Sequence, residues 1–282
     1  MSQTRPPLSR RRFLETTGVA LLAAHQGLAQ ERPKEKASGA GADAAPRILN
    51  LELPTAAPLD RMKEFYHRKL GLKVVAEKSE RLTLAAGLTH VTFIPAGAGD
   101  SQPFYHFAFN IPENKIVAAL DWQKSRSPII PVPESLRDAD HPAEVVNYRH
   151  WNAHSVFFFD PAQNVVEYIA RHDLKNAKPG PFDSRDILYA SEIAFIVDDV
   201  PTTASALGKA AGMDLYGRGG EFFTALGDER GLLLVMKRGR LLSLASSLKK
   251  EAGVYRTSAV IRGPHPKRHV IPGFPYHVTI ET

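Results

Sequence analysis

The amino-acid sequence predicts an α+β fold built from tandem βαβββ units. Three observations point there. First, a strand-like run, a helical run and three more strand-like runs recur in that order, beginning near residues 48, 105 and 190. Second, the helical runs stop at glycines: Leu59, Met62, Phe65, Tyr66 and Leu70 lie at helical spacing before Gly71, and Ala204, Leu207 and Ala211 before Gly212. Third, the second unit closes on a hairpin, with strand-like residues 155–159 and 165–170 joined by the turn Asp160-Pro161-Ala162-Gln163-Asn164.

Taken in order, the first unit has a strand over 48–53, the helix, and short strands over 73–76, 81–85 and 90–94, with Ala86-Gly87 marking a turn. The second opens at Tyr105-His106-Phe107-Ala108-Phe109-Asn110 and has a helix that starts near Pro112 and carries Ile116, Ala119 and Leu120. A proline-rich, polar excursion over 127–148 then precedes the hairpin, and a long irregular segment of this kind is either a lid or an inert insertion. The third unit starts at 190–197, has a helix from Pro201, and adds strands over 213–216, 222–226 and 232–236. After Gly239 only residues 276–281 read as a clear closing strand.

The chain contains no cysteine, which excludes disulfides, thiolate catalysis and thiolate metal sites. Any metal must be held by nitrogen and oxygen. The formal charge of +6 is misleading, because Arg5, Arg10, Arg11 and Arg12 against Glu15 place half of it in residues 1–29. Lys237-Arg238-Gly239-Arg240 and Lys267-Arg268-His269 are small basic clusters without a nucleic-acid recognition motif, so no nucleic-acid partner is expected.

Ser9-Arg10-Arg11-Arg12-Phe13-Leu14 resembles the twin-arginine export signal, followed by a short apolar run over 18–24 and the small-residue cleavage site Gly27-Leu28-Ala29. The apolar run falls short of the ~20 residues of a membrane span, so no membrane segment is expected after cleavage. The resemblance implies a signal peptide over 1–29, the twin-arginine machinery as a partner, and a periplasmic or otherwise exported protein. Residues 30–46, small and rich in Gly, Ala and Pro, read as a disordered linker.

One residue stands out in the hairpin. Glu167 sits between Val166 and Tyr168 on the strand face of Val165, Ile169 and Arg171. If that face is buried, the carboxylate needs a cation, a donor or a metal. If it is wet, Glu167 is ordinary surface.

The segments F-Y-H-F-A-F-N-I-P and N-A-H-S-V-F-F-F-D-P-A-Q-N-V-V-E-Y-I-A-R, within the repeat, resemble the vicinal-oxygen-chelate superfamily of glyoxalase I, bleomycin-resistance proteins and extradiol dioxygenases. They look like its ligand-bearing first strand and its closing hairpin, x-D-P-x-G-N-x-x-E-x, with Gln163 in place of the usual Gly. The resemblance implies that paired units form a cup, with ligands from the first and last strand of each unit. Carried over residue by residue, these slots are Asn50 and Thr92, His106 and Glu167, and Glu192 and Leu234. Asn50 to Thr92 and Glu192 to Leu234 span equal lengths; His106 to Glu167 is longer, and the 127–148 excursion absorbs the difference.

The expected arrangement is a paired domain over 47–175 holding units one and two, and a third unit with a closing strand over 186–282. The third unit would pair with that strand or, in a homodimer, with its own copy. His106 and Glu167 are the expected ligands of a divalent ion (Fe(II), Zn, Ni or Mn), with Glu167 also catalytic. A third ligand is sought among Asn50, Glu52 and the histidines His90, His150, His154 and His277. Asn50, Glu52, Thr92 and Arg171 are expected to line the cup, with Arg171 at its mouth for an anionic substrate. Glu192 is either a third-unit ligand or the cap of an exposed strand.

The implied function is a metal-dependent glyoxalase-like or dioxygenase-like enzyme acting on a small, oxygen-rich molecule. The alternative is a metal-free small-molecule-binding protein of the bleomycin-resistance type. No G-x-S-x-G elbow, phosphate loop or dinucleotide fingerprint competes with either.

Overall fold

The computed structural model describes residues 47–97, 102–137, 139–241 and 250–282. The export signal and linker lie outside these residues. Among the described residues no helix is long and apolar enough to cross a membrane.

Four units are present among the described residues. The first contains β1 (Ile48–Thr55), α1 (Leu59–Lys63, continuing as a π-helical turn over Glu64–Lys69), β2 (Lys73–Lys78), β3 (Arg81–Ala86) and β4 (Thr89–Pro95). The second contains β5 (His106–Ile111), α2 (Ile116–Lys124), β6 (Val146–Tyr148), β7 (Ala153–Phe159) and β8 (Val165–Arg171). The third contains β9 (Tyr189–Val197), α3 (Val200–Ala211), β10 (Phe223–Asp228) and β11 (Gly231–Lys237). The fourth is reduced to β12 (Thr257–Arg262), β13 (Lys267–Val270) and β14 (Tyr276–Glu281).

Local chemistry accounts for both ends of α3. The Asp199 carboxylate accepts from the Thr202 amide at 3.1 Å and caps α3. Gly212, at φ 62°, closes the same helix in the left-handed region. Gly87, at φ 56°, packs so tightly on the Leu188 carbonyl that a Cβ would lie 1.9 Å from its oxygen, and this turn joins the two sheets.

The strands form two seven-stranded sheets, β13-β14-β12-β1-β4-β3-β2 and β10-β11-β9-β5-β8-β7-β6. In the first three units the first strand runs parallel to the last. The α+β class and the repeated unit are as the sequence predicts, but the partners differ. The second unit pairs with the third through antiparallel β5 and β9, and the first pairs with the fourth through antiparallel β1 and β12. Each sheet therefore takes strands from both halves of the chain. The expectation of a dimer rests on an unpartnered third unit, and that unit has its partner within the chain. Periodicity defines a unit but not its neighbour, and the entropy of closing a longer loop grows too slowly to force sequential pairing.

One apolar cluster is shared by both sheets and the three helices, with Leu51, Phe93, Phe107, Phe109, Val166, Phe195 and Ile280 beside Met62, Leu120 and Leu207. A second covers the opposite face of the β5–β9 sheet. There Ile130, Val132, Leu136, Tyr148 and Trp151, from the excursion and the turn after it, pack on Ala108, Phe157, Ile169, Ala194 and Leu234. The excursion thus covers this face of the sheet with apolar side chains.

Candidate metal centre

Under that cover, three side chains converge. Glu167 on β8 and Glu192 on β9 are the two cross-strand partners of Ala108 on β5. Neighbouring strands lie ~4.8 Å apart, so the two glutamates stand about 10 Å apart at the backbone and lean together over the Ala108 methyl. His106, two residues earlier on β5, points to the same face. One ligand atom from each of His106, Glu167 and Glu192 lies within 4.8 Å of the others, and all three residues are buried. The His106 Nε2 atom is 3.5 Å from Glu167 Oε2 and 3.8 Å from Glu192 Oε2.

The hydrogen bonds fix the histidine. Its Nδ1 lies 3.0 Å from the Val165 carbonyl oxygen, which can only accept, so Nδ1 carries a proton. Nε2 then faces two carboxylates. As a bare lone pair it would repel both, so either a proton or a metal ion must stand between them. This second-contact pattern, a backbone carbonyl setting the tautomer, also orients metal-ligating imidazoles.

Electrostatics follow from the burial. Desolvation alone would lower the His106 pKa, but Glu192 and Glu167 outweigh it and raise it above the ordinary imidazole value. Burial, and then the Glu192 charge, push the Glu167 carboxyl up to about 8. Glu167 Oε1 has no hydrogen-bond partner, and the Ser155 hydroxyl lies nearby without closing one. A buried, unpartnered carboxylate oxygen beside a fixed imidazole is the donor set a divalent ion fits.

Arg171 is fully buried and binds Glu192 Oε1 through a terminal guanidinium nitrogen, so it does not stand at a mouth open to substrate. Its charge centre lies 5.6 Å from the Trp151 ring and 6.0 Å from that of Tyr216. Burial would lower its pKa, and Glu192 raises it instead.

The other expected site residues are elsewhere. Asn50, Glu52 and Thr92 belong to the β1–β12 sheet and do not meet His106. Glu52 pairs with Arg81 at 2.7 Å and Arg256 at 3.1 Å, and the Thr92 hydroxyl bonds that of Thr83 at 2.9 Å. His90 and His277 lie in that sheet too, and His154 contacts His172 instead. Nor does His150 belong to the cluster of three ligands. The third candidate ligand is Glu192, from the third unit's first strand. Its signal was the slot equivalent to His106; what the sequence lacked was the pairing of β9 with β5.

A scan with protein-family models finds no match, and a search of the curated proteins finds none either. The solved structures do contain similar chains. A Bacillus subtilis protein described provisionally as a dioxygenase superposes with a TM-score of 0.51 at 14% identity, covering 84% of this chain and 86% of its own. Glyoxalase I from Zea mays gives 0.47 at 16% identity, covering 84% of this chain and 92% of its own. The chain thus has the α+β fold of paired βαβββ units seen in the Bacillus protein. Within that fold it carries a buried His/Glu/Glu cluster able to hold a metal ion.

Proposed function

We propose that this protein is a metal-dependent enzyme of the glyoxalase or dioxygenase type, acting on a small, oxygen-rich organic molecule. One observation carries the reading: His106 Nε2, its partner nitrogen committed to Val165, faces two buried carboxylates across 3.5 and 3.8 Å. With one imidazole, two carboxylates and no cysteine, the donor set suits Mn, Fe(II), Ni or Zn. A divalent ion on these three atoms supplies Lewis acidity toward neighbouring substrate oxygens.

The chain's own residues have distinct parts. Val165 holds the His106 ring, and Arg171 holds Glu192. Glu167 Oε1, which has no hydrogen-bond partner, is the group that accepts or returns a proton at the substrate. Tyr148, Trp151 and Phe157 exclude water above the cluster.

Metal analysis tests this reading. Protein folded in the cytoplasm is expected to hold about one equivalent of metal more than its His106→Ala and Glu167→Ala variants. Metal content unchanged by His106→Ala would overturn it. The residue in the fourth ligand slot, Leu234, favours a second reading, a metal-free binding protein in which Arg171 alone offsets the Glu192 charge. That reading expects the second result.

Export by the twin-arginine route belongs to the same proposal, on the strength of residues 9–29. Replacing Arg10 and Arg11 by Lys is expected to hold the protein in the cytoplasm, and unchanged export would remove this part.

A further inference from the structure

A second group of nitrogen donors lies apart from the His106 cluster, at the other end of the β7–β8 hairpin. His154 on β7 and His172, just after β8, face each other with Nδ1 and Nε2 at 2.7 Å. The ring of His141, from the excursion, stacks on that of His154 with centroids 4.0 Å apart and planes at 27°. On the far side of His172, its Nδ1 is 3.8 Å from Glu113 Oε2. All four residues are half-buried, reachable by an ion from solvent.

We propose that His154 Nδ1 and His172 Nε2, joined by His141, form a second site for a borderline divalent ion such as Zn2+, Cu2+ or Ni2+, which clamps the excursion to the hairpin.

Two imidazole nitrogens facing each other share one proton between two lone pairs. A metal ion replaces that proton and uses both. Nitrogens bound to one tetrahedral zinc at ~2.0–2.1 Å stand about 3.3 Å apart, so the pair needs to open by only about 0.6 Å. The hairpin fixes their relative position, because His154 and Ala170 are in register and the His172 amide donates to the Asn152 carbonyl at 3.0 Å. Asn152 is held in turn by Asp173 at 2.7 Å. Glu113 faces the His172 nitrogen that the ion does not use, where a carboxylate fixes the tautomer and raises ligand basicity. His141 turns out of its stack to become the third ligand, and this ties the 127–148 excursion to the strands it covers. Imidazoles without thiolates select the borderline ions over Mg2+ or Ca2+.

The test uses the full chain carrying His106→Ala, which empties the first centre, so failure of the enzyme reading leaves this result intact. Titration with Zn2+ followed by calorimetry is expected to show one equivalent. Added His154→Ala or His172→Gln should abolish it, and Glu113→Gln should weaken it about tenfold or more. With Cu2+, the electron paramagnetic resonance spectrum should show imidazole nitrogen couplings, reduced by one nitrogen in His141→Ala. A circular-dichroism melt checks that each variant is folded. The proposal is overturned if His106→Ala binds no Zn2+, or if folded His154→Ala and His172→Gln variants both keep the same affinity and copper spectrum.

Discussion

Arg171 and Glu192 are joined across the sheet with both side chains sealed from water, the guanidinium bonded to one carboxylate oxygen and His106 lying near the other. The pair holds Glu192 charged and fixes its orientation. Removing one partner of a buried pair typically costs about 3–5 kcal/mol, because the remaining charge is uncompensated. Arg171→Leu is therefore expected to destabilise the metal-free protein by that order. With a divalent ion bound, the ion itself compensates Glu192, so the loss should shrink. Chemical denaturation with and without metal measures both; equal losses in the two states would show that Arg171 and the ion do not act on the same carboxylate.

Ala108 decides whether the two carboxylates can meet. It lies between them in register, and its methyl leaves open the space over which they lean. Ala108→Leu is expected to fill that space, abolish metal binding at His106 and cost about 1–3 kcal/mol from overpacking. Ala108→Gly should keep the metal. Calorimetric titration of the two folded variants, each carrying His154→Ala to remove the second site, checks the contrast, and metal binding by Ala108→Leu in that background would place the ion elsewhere.

The protonation of the cluster gives a pH dependence of definite sign. Glu167 titrates at about 8 when folded, against 4.5 for an ordinary glutamate. Between those values the native metal-free protein holds a proton that the unfolded chain has released, so stability falls as pH rises, by up to about 1.4 kcal/mol per pH unit. His106, raised above its ordinary value, adds to the fall in the same direction. Metal binding requires both protons to leave, so affinity should rise over the same window. Melting of metal-free wild type and Glu167→Gln between pH 5 and pH 8 tests this. The Glu167 contribution is the difference between the two curves, and parallel curves would refute it.

What could be read from the sequence divides along physical lines. The hairpin around Glu167 and the strand carrying His106 were legible because two-residue alternation and turn chemistry are local. So were the ends of α1 and α3, although not the π-helical turn, where the Leu70 amide reaches back to the Phe65 carbonyl at 3.0 Å. Glu192 could be seen as a slot but not assigned, since its meeting with His106 depends on the pairing of β5 with β9. That pairing is a choice among interchangeable units, made by the packing of both faces of strands buried along their whole length. The same choice sends Asn50, Glu52 and Thr92 to the other sheet. The excursion's contribution was hidden for another reason: Ile130, Val132 and Leu136 are scattered among prolines without helical or strand periodicity.

Gln163 is the one departure within the turn that gave the hairpin away. It sits at φ 64°, in the left-handed region, where a side chain costs roughly 1–2 kcal/mol. The turn holds it there: the Asp160 carboxylate accepts from the Ala162 and Asn164 amides at 2.9 Å, and the Gln163 amide donates to the Asp160 carbonyl at 2.9 Å. The Tyr66 hydroxyl anchors Asp160 from the first unit at 2.8 Å. Gln163→Gly relieves the backbone strain but gives the unfolded chain more freedom, worth about 0.5–1 kcal/mol in the opposite sense. The net expectation is a gain of up to about 1 kcal/mol, with metal binding unchanged because Glu167 keeps its register against Ala108. Gln163→Val, β-branched at the same φ, should lose stability instead. Urea denaturation of the three proteins decides the matter, and a Gln163→Gly variant less stable than wild type would mean that the side chain, rather than the backbone, holds the turn.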